Sequence, residues 1–400
     1  MDTYKGVRDF YPEDQRVQNY MFTTLRRVAE SYGYDEYNAS VLEPTELYTA
    51  KSSDEIVREQ TYTFDDRGGR SVTLRPEMTP TVARMVASRK RELGYPLRLY
   101  CIQNFFRYER TQRGRLREFW QYNVDIFGVP GLEADIEVLD IAYRSLTAFG
   151  ATPNDFVLKV GSRVALQEAF DRAGLSTETA REVRTLLDKK IKLAPDEFSA
   201  TMRGLTDAPI EDMLKDVHGS AATVLDALKA RGVTAEYDPS VVRGFDYYTD
   251  ITFEAFDTNP VNPRALLGGG RYDSLVEKYD SEPVAAVGFA MGDAVLKDFL
   301  ETHQLVPTLT SVAALYLVPL DARAQAVADT LRASGINVAL GMKHEKIADH
   351  IRNADKLGIP YIAVYGDIEV KSGELALKNL KTGTETKIAL DKVGAFLIQS

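Results

Sequence analysis

Two runs, Arg243-Gly244-Phe245-Asp246-Tyr247-Tyr248 and Gly268-Gly269-Gly270-Arg271-Tyr272-Asp273, place two guanidiniums, two carboxylates and three tyrosines beside glycines. Glycine lets a ligand approach the backbone closely, and arginine offers a fixed fork of donors matched to carboxylate and phosphate. Tyrosine and aspartate read small polar side chains by hydrogen bonds. The residue types therefore point to a pocket that holds an anion beside an amino acid or a base. Alone, a triple glycine followed by arginine is more often a tight turn than a site. A third run changes that balance: residues 107–117 carry five arginines, at 107, 110, 113, 115 and 117, around Gly114 and between two apolar strands. Mixed charge of this kind is by default solvated surface. Here alternation predicts Arg107 and Glu109 on one face of the first strand, and Arg117 on a shared face with Phe119 and Gln121 on the other strand. Arginines at the open end of a strand-loop-strand form a plausible clamp for a triphosphate.

The elements that must position these runs are legible in outline. Residues 14–32 carry Val17, Met21, Leu25, Val28 and Ala29 at helical spacing. Residues 37–42 read as a strand, and 60–74 as a strand pair broken by Asp65-Asp66-Arg67-Gly68-Gly69. A helix is expected over 79–88, and strands over 97–107 and 118–127. Residues 162–232 turn helical and charged, an insertion in the sheet domain, before strand character returns over 234–256. A linker is expected at Val306-Pro307-Thr308. Beyond it, strands at 314–320, 337–341 and 361–365 alternate with helices at 321–334 and 345–357, a small unit with a mainly parallel sheet.

Composition narrows the function classes. The 400 residues are 44% apolar and 27% charged, ordinary for a globular chain of two or three domains. There is no apolar run long enough for a membrane span, and the opening Met1-Asp2-Thr3-Tyr4-Lys5-Gly6 lacks a signal core. Cys101 is the only cysteine, which excludes an internal disulfide and a cysteine zinc cluster and fits a reducing cytoplasm. His218, His303, His344 and His350 lack metal-ligand spacing, so no metal site is expected on them. The net charge of −10 argues against non-specific nucleic-acid binding over the whole surface. The charge is uneven, however: residues 311–400 hold 11 basic against 10 acidic side chains, the rest 38 against 49. In that tail Lys343, Lys346, Arg352, Lys356, Lys371, Lys378 and Lys381 could form a local phosphate track.

The run Phe106-Arg107-x-Glu109-Arg110, followed by Gly114-Arg115-x-Arg117-Glu118-Phe119-x-Gln121, resembles motif 2 of the class II aminoacyl-tRNA synthetases. The two glycine-bearing runs resemble those peculiar to the histidyl-tRNA synthetase family. The opening Gly6-Val7-Arg8-Asp9-Phe10-Tyr11-Pro12, the segment Leu74-Arg75-Pro76-Glu77-Met78-Thr79 and the tail agree with it, so the resemblance covers essentially the whole chain. It implies an α+β fold: a class II antiparallel-sheet catalytic domain over 1–305 with the helical insertion at 162–232, and a C-terminal α/β anticodon-binding-like domain over 311–400. It implies activation of L-histidine by ATP with Mg²⁺, transfer to tRNA(His), no membrane, and a cytoplasmic homodimer.

Carried over by position, the resemblance implies that Glu77, Met78, Thr79 and Gln121 form the histidine-binding run at the ammonium and backbone end. Asp125 and Tyr248, helped by Tyr247, would read the imidazole. Arg107 would meet the histidine carboxylate and the α-phosphate, Glu109 the adenine amine, and Arg115 or Arg117 the phosphates. Arg243 would neutralise the pentacoordinate α-phosphate. Two positions depart from the pattern. Val295 stands where motif 3 carries an arginine stacked on ATP, so either another Lys or Arg substitutes or the enzyme is weakened. Ser40 stands where motif 1 carries a proline, which shapes a strand end rather than doing chemistry. Two rivals share the resemblance: a histidine-binding regulatory paralogue, favoured by Val295, and a non-catalytic tRNA sensor. The intact tail and Arg243 run weigh against the first, and a chain of this length has no room for the kinase domain that accompanies the second.

Overall fold

The computed structural model describes residues 2–49, 60–188, 193–209, 218–242, 247–279, 282–342 and 346–399. Met21, Leu25 and Ala29 are buried along one side of a helix, Pro12–Ser31, that begins with proline where no intrahelical donor is lost. The chain continues through β1 (Asp35–Glu36), β2 (Leu42–Pro44), β3 (Tyr62–Asp65), β4 (Ser71–Leu74), a helix at Thr79–Arg89, β5 (Leu97–Phe106) and β6 (Glu118–Phe127). After the helix Glu133–Thr147 comes β7 (Phe156–Ser162). The helices Arg163–Arg172, Thr177–Asp188, Pro195–Leu205 and Ser220–Ala230 then separate β7 from its parallel partner β8 (Glu236–Tyr237). β9 (Ile251–Asp257), β10 (Ala265–Arg271), β11 (Ala286–Gly292) and the helix Asp293–Thr302 complete the first compact unit, Met1–Pro307.

These strands form an eight-stranded sheet in the order β1-β5-β6-β11-β10-β9-β7-β8, antiparallel except at its two edges. A separate small sheet, β2-β4-β3, lies beside it in the same unit. Alternation along β6 divides the two sides of the large sheet. Tyr122, Val124 and Ile126 join the apolar cluster that holds Met21, Leu25, Val138, Ile141 and Phe299 from the covering helices. Gln121, Asn123 and Asp125 consequently face the other way. Phe106 pairs with Glu118, which leaves the arginine run as the loop that closes the β5–β6 hairpin.

The strand expected over 37–42 is not formed. The carbonyls of Ala39 and Ser40 instead accept from the guanidinium of Arg75, at 2.8 and 3.4 Å. Arg75 is wholly buried and also donates to the Asn104 carbonyl and the Gln103 amide oxygen. A buried cation must have its donors satisfied, and here it satisfies them on backbone that would otherwise seek a ladder.

The second unit, Thr308–Ser400, has a sheet of its own. Its strands are β12 (Leu315–Pro319), β13 (Val338–Leu340), β14 (Tyr361–Tyr365), β15 (Glu374–Asn379) and β16 (Glu385–Ala389), in the order β13-β12-β14-β15-β16. The first three are parallel, joined through the helices Ala324–Ala333 and Ile347–Lys356. β15 and β16 add an antiparallel edge where the sequence signal showed none. Their outward faces carry Lys378, Glu385 and Lys387, which dilute the apolar alternation that would have marked them. Leu315, Leu317, Ala328, Leu331, Ala363 and Leu375 form this unit's own core.

Because each unit buries its own apolar cluster, a chain ending at Pro307 is expected to fold. Its thermal transition should lie within about 4 °C of the corresponding transition in the full protein. Loss of cooperative melting or of near-UV dichroism would show that the first unit's core is incomplete.

Candidate active site

The floor of the site follows from strand register. Gly288 lies opposite Asp125, Ala290 opposite Asn123 and Gly292 opposite Gln121, while Gly268 pairs with both Ala290 and Glu254. Long polar side chains on β6 thus face glycine and alanine on β11 and β10, and the difference in volume is the cavity. Gly288 is required rather than convenient: a Cβ there would overlap the Asp125 carboxylate.

An inner cavity of about 100 Å³ is lined by Glu77, Thr79, Arg107, Gln121, Asn123, Asp125, Tyr247, Tyr248 and Tyr272, among others. The Tyr272 hydroxyl donates to Asp125, and the Tyr247 hydroxyl donates to Glu77 at 3.3 Å. Burial pushes the Asp125 carboxyl up to about 7, and the Tyr272 hydroxyl only partly pulls it back. The same burial pushes the Tyr272 phenol well above its ordinary value. This is a polar, enclosed slot with an acceptor at its base, suited to a small side chain with a ring or amide N–H.

An outer cavity of about 270 Å³ shares Arg107, Gln121, Gly268 and Ala290 with the inner one and adds Glu109, Gly114, Arg115, Phe119, Glu254, Arg264 and Val295. Arg107 stands at the seam. Its Nε donates to the Pro76 carbonyl at 2.8 Å and its guanidinium lies 5.3 Å from the Phe119 ring centre. Arg115 is ion-paired with Glu109, one of its contacts being Nη2 to Oε1 at 2.9 Å. The arginine loop folds back through a bridge between Gln112 and Arg115, with Gly114 in the left-handed region at φ +66°. The loop is tied to the far side of the cavity by Arg113 to Asn262 and Arg264 to Gln112.

The expected residues therefore separate into three groups. Glu77, Thr79, Gln121, Asp125, Tyr247, Tyr248 and Arg107 meet in the inner cavity, and Arg107, Glu109 and Arg115 in the outer one. Arg243 and Asp246 lie outside the described residues. Three residues of the runs line neither cavity. Met78, at the N-cap of the helix Thr79–Arg89, is instead buried with Cys101 and Phe105. Arg117 turns away: it stacks 4.0 Å from the Tyr108 ring centre and donates to the Tyr4 hydroxyl at 2.9 Å, while Phe119 and Gln121 face the cavities with Arg107. Arg271 belongs to the core. It is bonded to Asp135, with Nε to Oδ2 at 3.1 Å, to the carbonyls of Val129 and Gly131, and to Asp273. Asn123, Glu254 and Arg264 were missed as site residues. Asn123 was reachable by alternation from Gln121 and Asp125. Glu254 and Arg264 depend on strand pairing that no local motif records.

In the second unit, Tyr316, His350, Arg352, Asn353 and Lys356 line a further cavity. His350 is buried against the Tyr316 hydroxyl at 3.1 Å. Among the described residues of the expected phosphate track, only Arg352 and Lys356 line this cavity. Lys371, Lys378 and Lys381 do not line it, and Lys343 and His344 lie outside the described residues.

The histidyl-tRNA synthetase family profile matches residues 6–230 and 195–294, and that of an anticodon binding domain matches 312–400. A histidine–tRNA ligase of Leptospira biflexa is 40% identical over 410 residues, covering 95% of this chain and 93% of its own. One from Thermococcus kodakarensis is 33% identical over 427 residues, 98% of this chain and 97% of its own. The apo histidyl-tRNA synthetase of S. aureus matches 99% of each chain with a TM-score of 0.76 at 26% identity. A histidyl-tRNA synthetase from Nostoc sp. PCC 7120 matches 100% of this chain and 99% of its own with a TM-score of 0.81; at 22% identity it speaks to the fold alone.

Two outcomes follow from the buried charges. Arg271→Ala leaves Asp135 buried without its cation and should cost about 3–5 kcal/mol in denaturant unfolding. Joint replacement of Arg271 and Asp135 by apolar residues of similar size should cost far less, and equal losses would show that the pair is not the cause. Asp125 holds a proton in the folded state up to about pH 7, whereas the unfolded chain releases it near 4. Its contribution to stability is thus fully present below about pH 4 and is lost as pH rises to about 7. Asp125→Asn should gain stability relative to the wild type by up to about 3 kcal/mol between pH 5 and pH 8. The same difference at both pH values would mean that Asp125 ionises normally.

Proposed function

The chain belongs to the histidyl-tRNA synthetase family, and from that premise we propose how its own residues carry the activity of a class II histidine–tRNA ligase. The reaction joins L-histidine to ATP as histidyl-adenylate and then passes the histidyl group to the 3′ end of tRNA(His). One observation carries the assignment of roles. A single face of β6 presents Gln121, Asn123 and Asp125 to a closed polar slot whose mouth, at Arg107, opens into a larger arginine-lined cavity.

Histidine occupies the inner cavity with its ring toward Asp125. A ring N–H donates to the buried carboxyl, and Tyr248 and Tyr247 enclose the ring. The ammonium lies against Glu77, the Thr79 hydroxyl and the Gln121 amide oxygen. This places the carboxylate at the seam, against Arg107. An oxygen of that carboxylate attacks the α-phosphorus of ATP in the outer cavity. The bond from the α-phosphorus to the bridging oxygen breaks, and pyrophosphate leaves with the electron pair. No enzyme nucleophile is needed, so catalysis rests on placement and on positive charge where negative charge develops. Arg107 serves both, and Arg243 joins it by resemblance. Glu109, held by Arg115, is positioned as an acceptor for the adenine amine.

Glu254, a carboxylate on the outer wall, has the hard oxygen donor that would hold a nucleotide-bound Mg²⁺. When bound, the ion would supply neutralisation of phosphate charge. The second unit reads the tRNA, with Arg352 and Lys356 as phosphate contacts beside the Tyr316–His350 pair. The same family resemblance extends to a homodimer acting in the cytoplasm.

The purified protein should catalyse ATP–pyrophosphate exchange with histidine and with no other amino acid. Histidine binding without exchange would favour the regulatory reading. Asp125→Ala should raise the KM for histidine by about 100-fold or more while leaving that for ATP nearly unchanged. Equal losses for both substrates would indicate collapse of β6.

A further inference from the structure

The outer cavity contains a cation, Arg264, that no carboxylate among the described residues neutralises. Arg264 lies on its wall at the end of the β9–β10 connection, one residue before β10 begins. The Arg115 beside it is matched by Glu109, and Arg113 lies 3.7 Å from Asp298. Arg264 has no carboxylate partner among the described residues. Its bond is to a neutral acceptor, the Gln112 amide oxygen, at 2.6 Å. Partial burial lowers its pKa from the ordinary arginine value, with no opposing carboxylate to raise it. A partly desolvated guanidinium without a counter-charge is costly to the folded protein. It is also well prepared to receive an anion, because the desolvation has already occurred.

Its location is equally specific. A Cβ placed on Gly114 would lie 3.4 Å from Val295 Cγ2 and 3.5 Å from Arg264 Cδ, so the two side chains converge on one patch of the cavity wall. Val295 is the position where an arginine would be expected to face the nucleotide. Valine fills that place with a short apolar stub, and Arg264 reaches the same place from the opposite strand connection. Its bond to Gln112 also fixes the guanidinium against the arginine loop.

Resting on the ATP site described above, we propose that Arg264 supplies the nucleotide-facing guanidinium of the outer cavity, in place of the side chain at position 295. The charge is delivered from the β9–β10 connection rather than from the helix that follows β11, and the valine leaves room for it.

The test is equilibrium binding of ATP and of histidine, measured separately by calorimetry on the full-length protein and on Arg264→Ala, with thermal melting of each. The expected result is an ATP affinity about 10- to 100-fold weaker in the variant, with histidine affinity and melting temperature close to wild type. Unchanged ATP affinity in a folded variant would overturn the proposal. So would parallel weakening of both ligands with a lowered melting temperature, which would make Arg264 a tie for the arginine loop and nothing more. Arg264→Ala/Val295→Arg provides a second check, since a guanidinium restored from position 295 should recover ATP affinity. Binding does not depend on turnover. A wild-type protein that binds ATP but fails to exchange pyrophosphate would sink the ligase reading while leaving the role of Arg264 open to the same measurement. A wild type that binds no ATP would overturn both.

Discussion

A carboxyl group buried in the middle of a sheet is the constraint on which the site depends. Asp125 is almost inaccessible, and burial alone would cost several kcal/mol if the group had to be charged and unpartnered. The fold meets this with one hydroxyl, from Tyr272, and with space, from Gly288. Neither is interchangeable with a neighbour. Any side chain at 288 would occupy the carboxylate's place, and Tyr272 reaches it only because β10 ends next to β11. The residual raised pKa is the unpaid remainder of that burial, kept as readiness for a ligand that brings its own donor.

The polar slot would be useless if its cations were all spent on the protein's own carboxylates. The protein holds two kinds of arginine, distinguished by surroundings rather than by sequence. Arg75 and Arg271 are buried and fully engaged with backbone and acids, and they work as internal struts. Arg107, Arg115 and Arg264 line the cavity in which ATP is proposed to bind. The struts hold the segments that carry the cavity residues. Arg75 pins the backbone around Ala39 and Ser40 next to Pro76, whose carbonyl in turn orients Arg107. Positioning of the seam between the two cavities therefore begins with a cation that touches no ligand.

The same division explains the departure at Ser40. A proline could have stiffened that stretch by restricting its own backbone. Arg75 reaches a similar end from outside, by donating to the carbonyls of Ala39 and Ser40. It also explains why the segment is not a strand, although its composition reads as one.

Much of the fold was legible from residue order, because helix and strand periodicity are local. The helix at Pro12–Ser31 and the long pair β5 and β6 are recovered to within two residues. The resemblance carried Gln121 and Asp125 onto one strand and Tyr247 and Tyr248 onto one run, and all four line the inner cavity. What only the tertiary structure decided was the surroundings of charge. Arg271 and Arg264 flank the same triple glycine, and nothing in the order of residues separates them. Asp135 on a distant helix makes the first a strut, whereas the second meets no acid among the described residues and faces a cavity. Strand alternation placed Arg117 with the cavity residues, yet beyond the strand end the loop curls back and the ring of Tyr108 takes it instead. Periodicity ends where the ladder ends. The direction of a long side chain past that point is set by which partner, acid or ring, packing has brought within its reach.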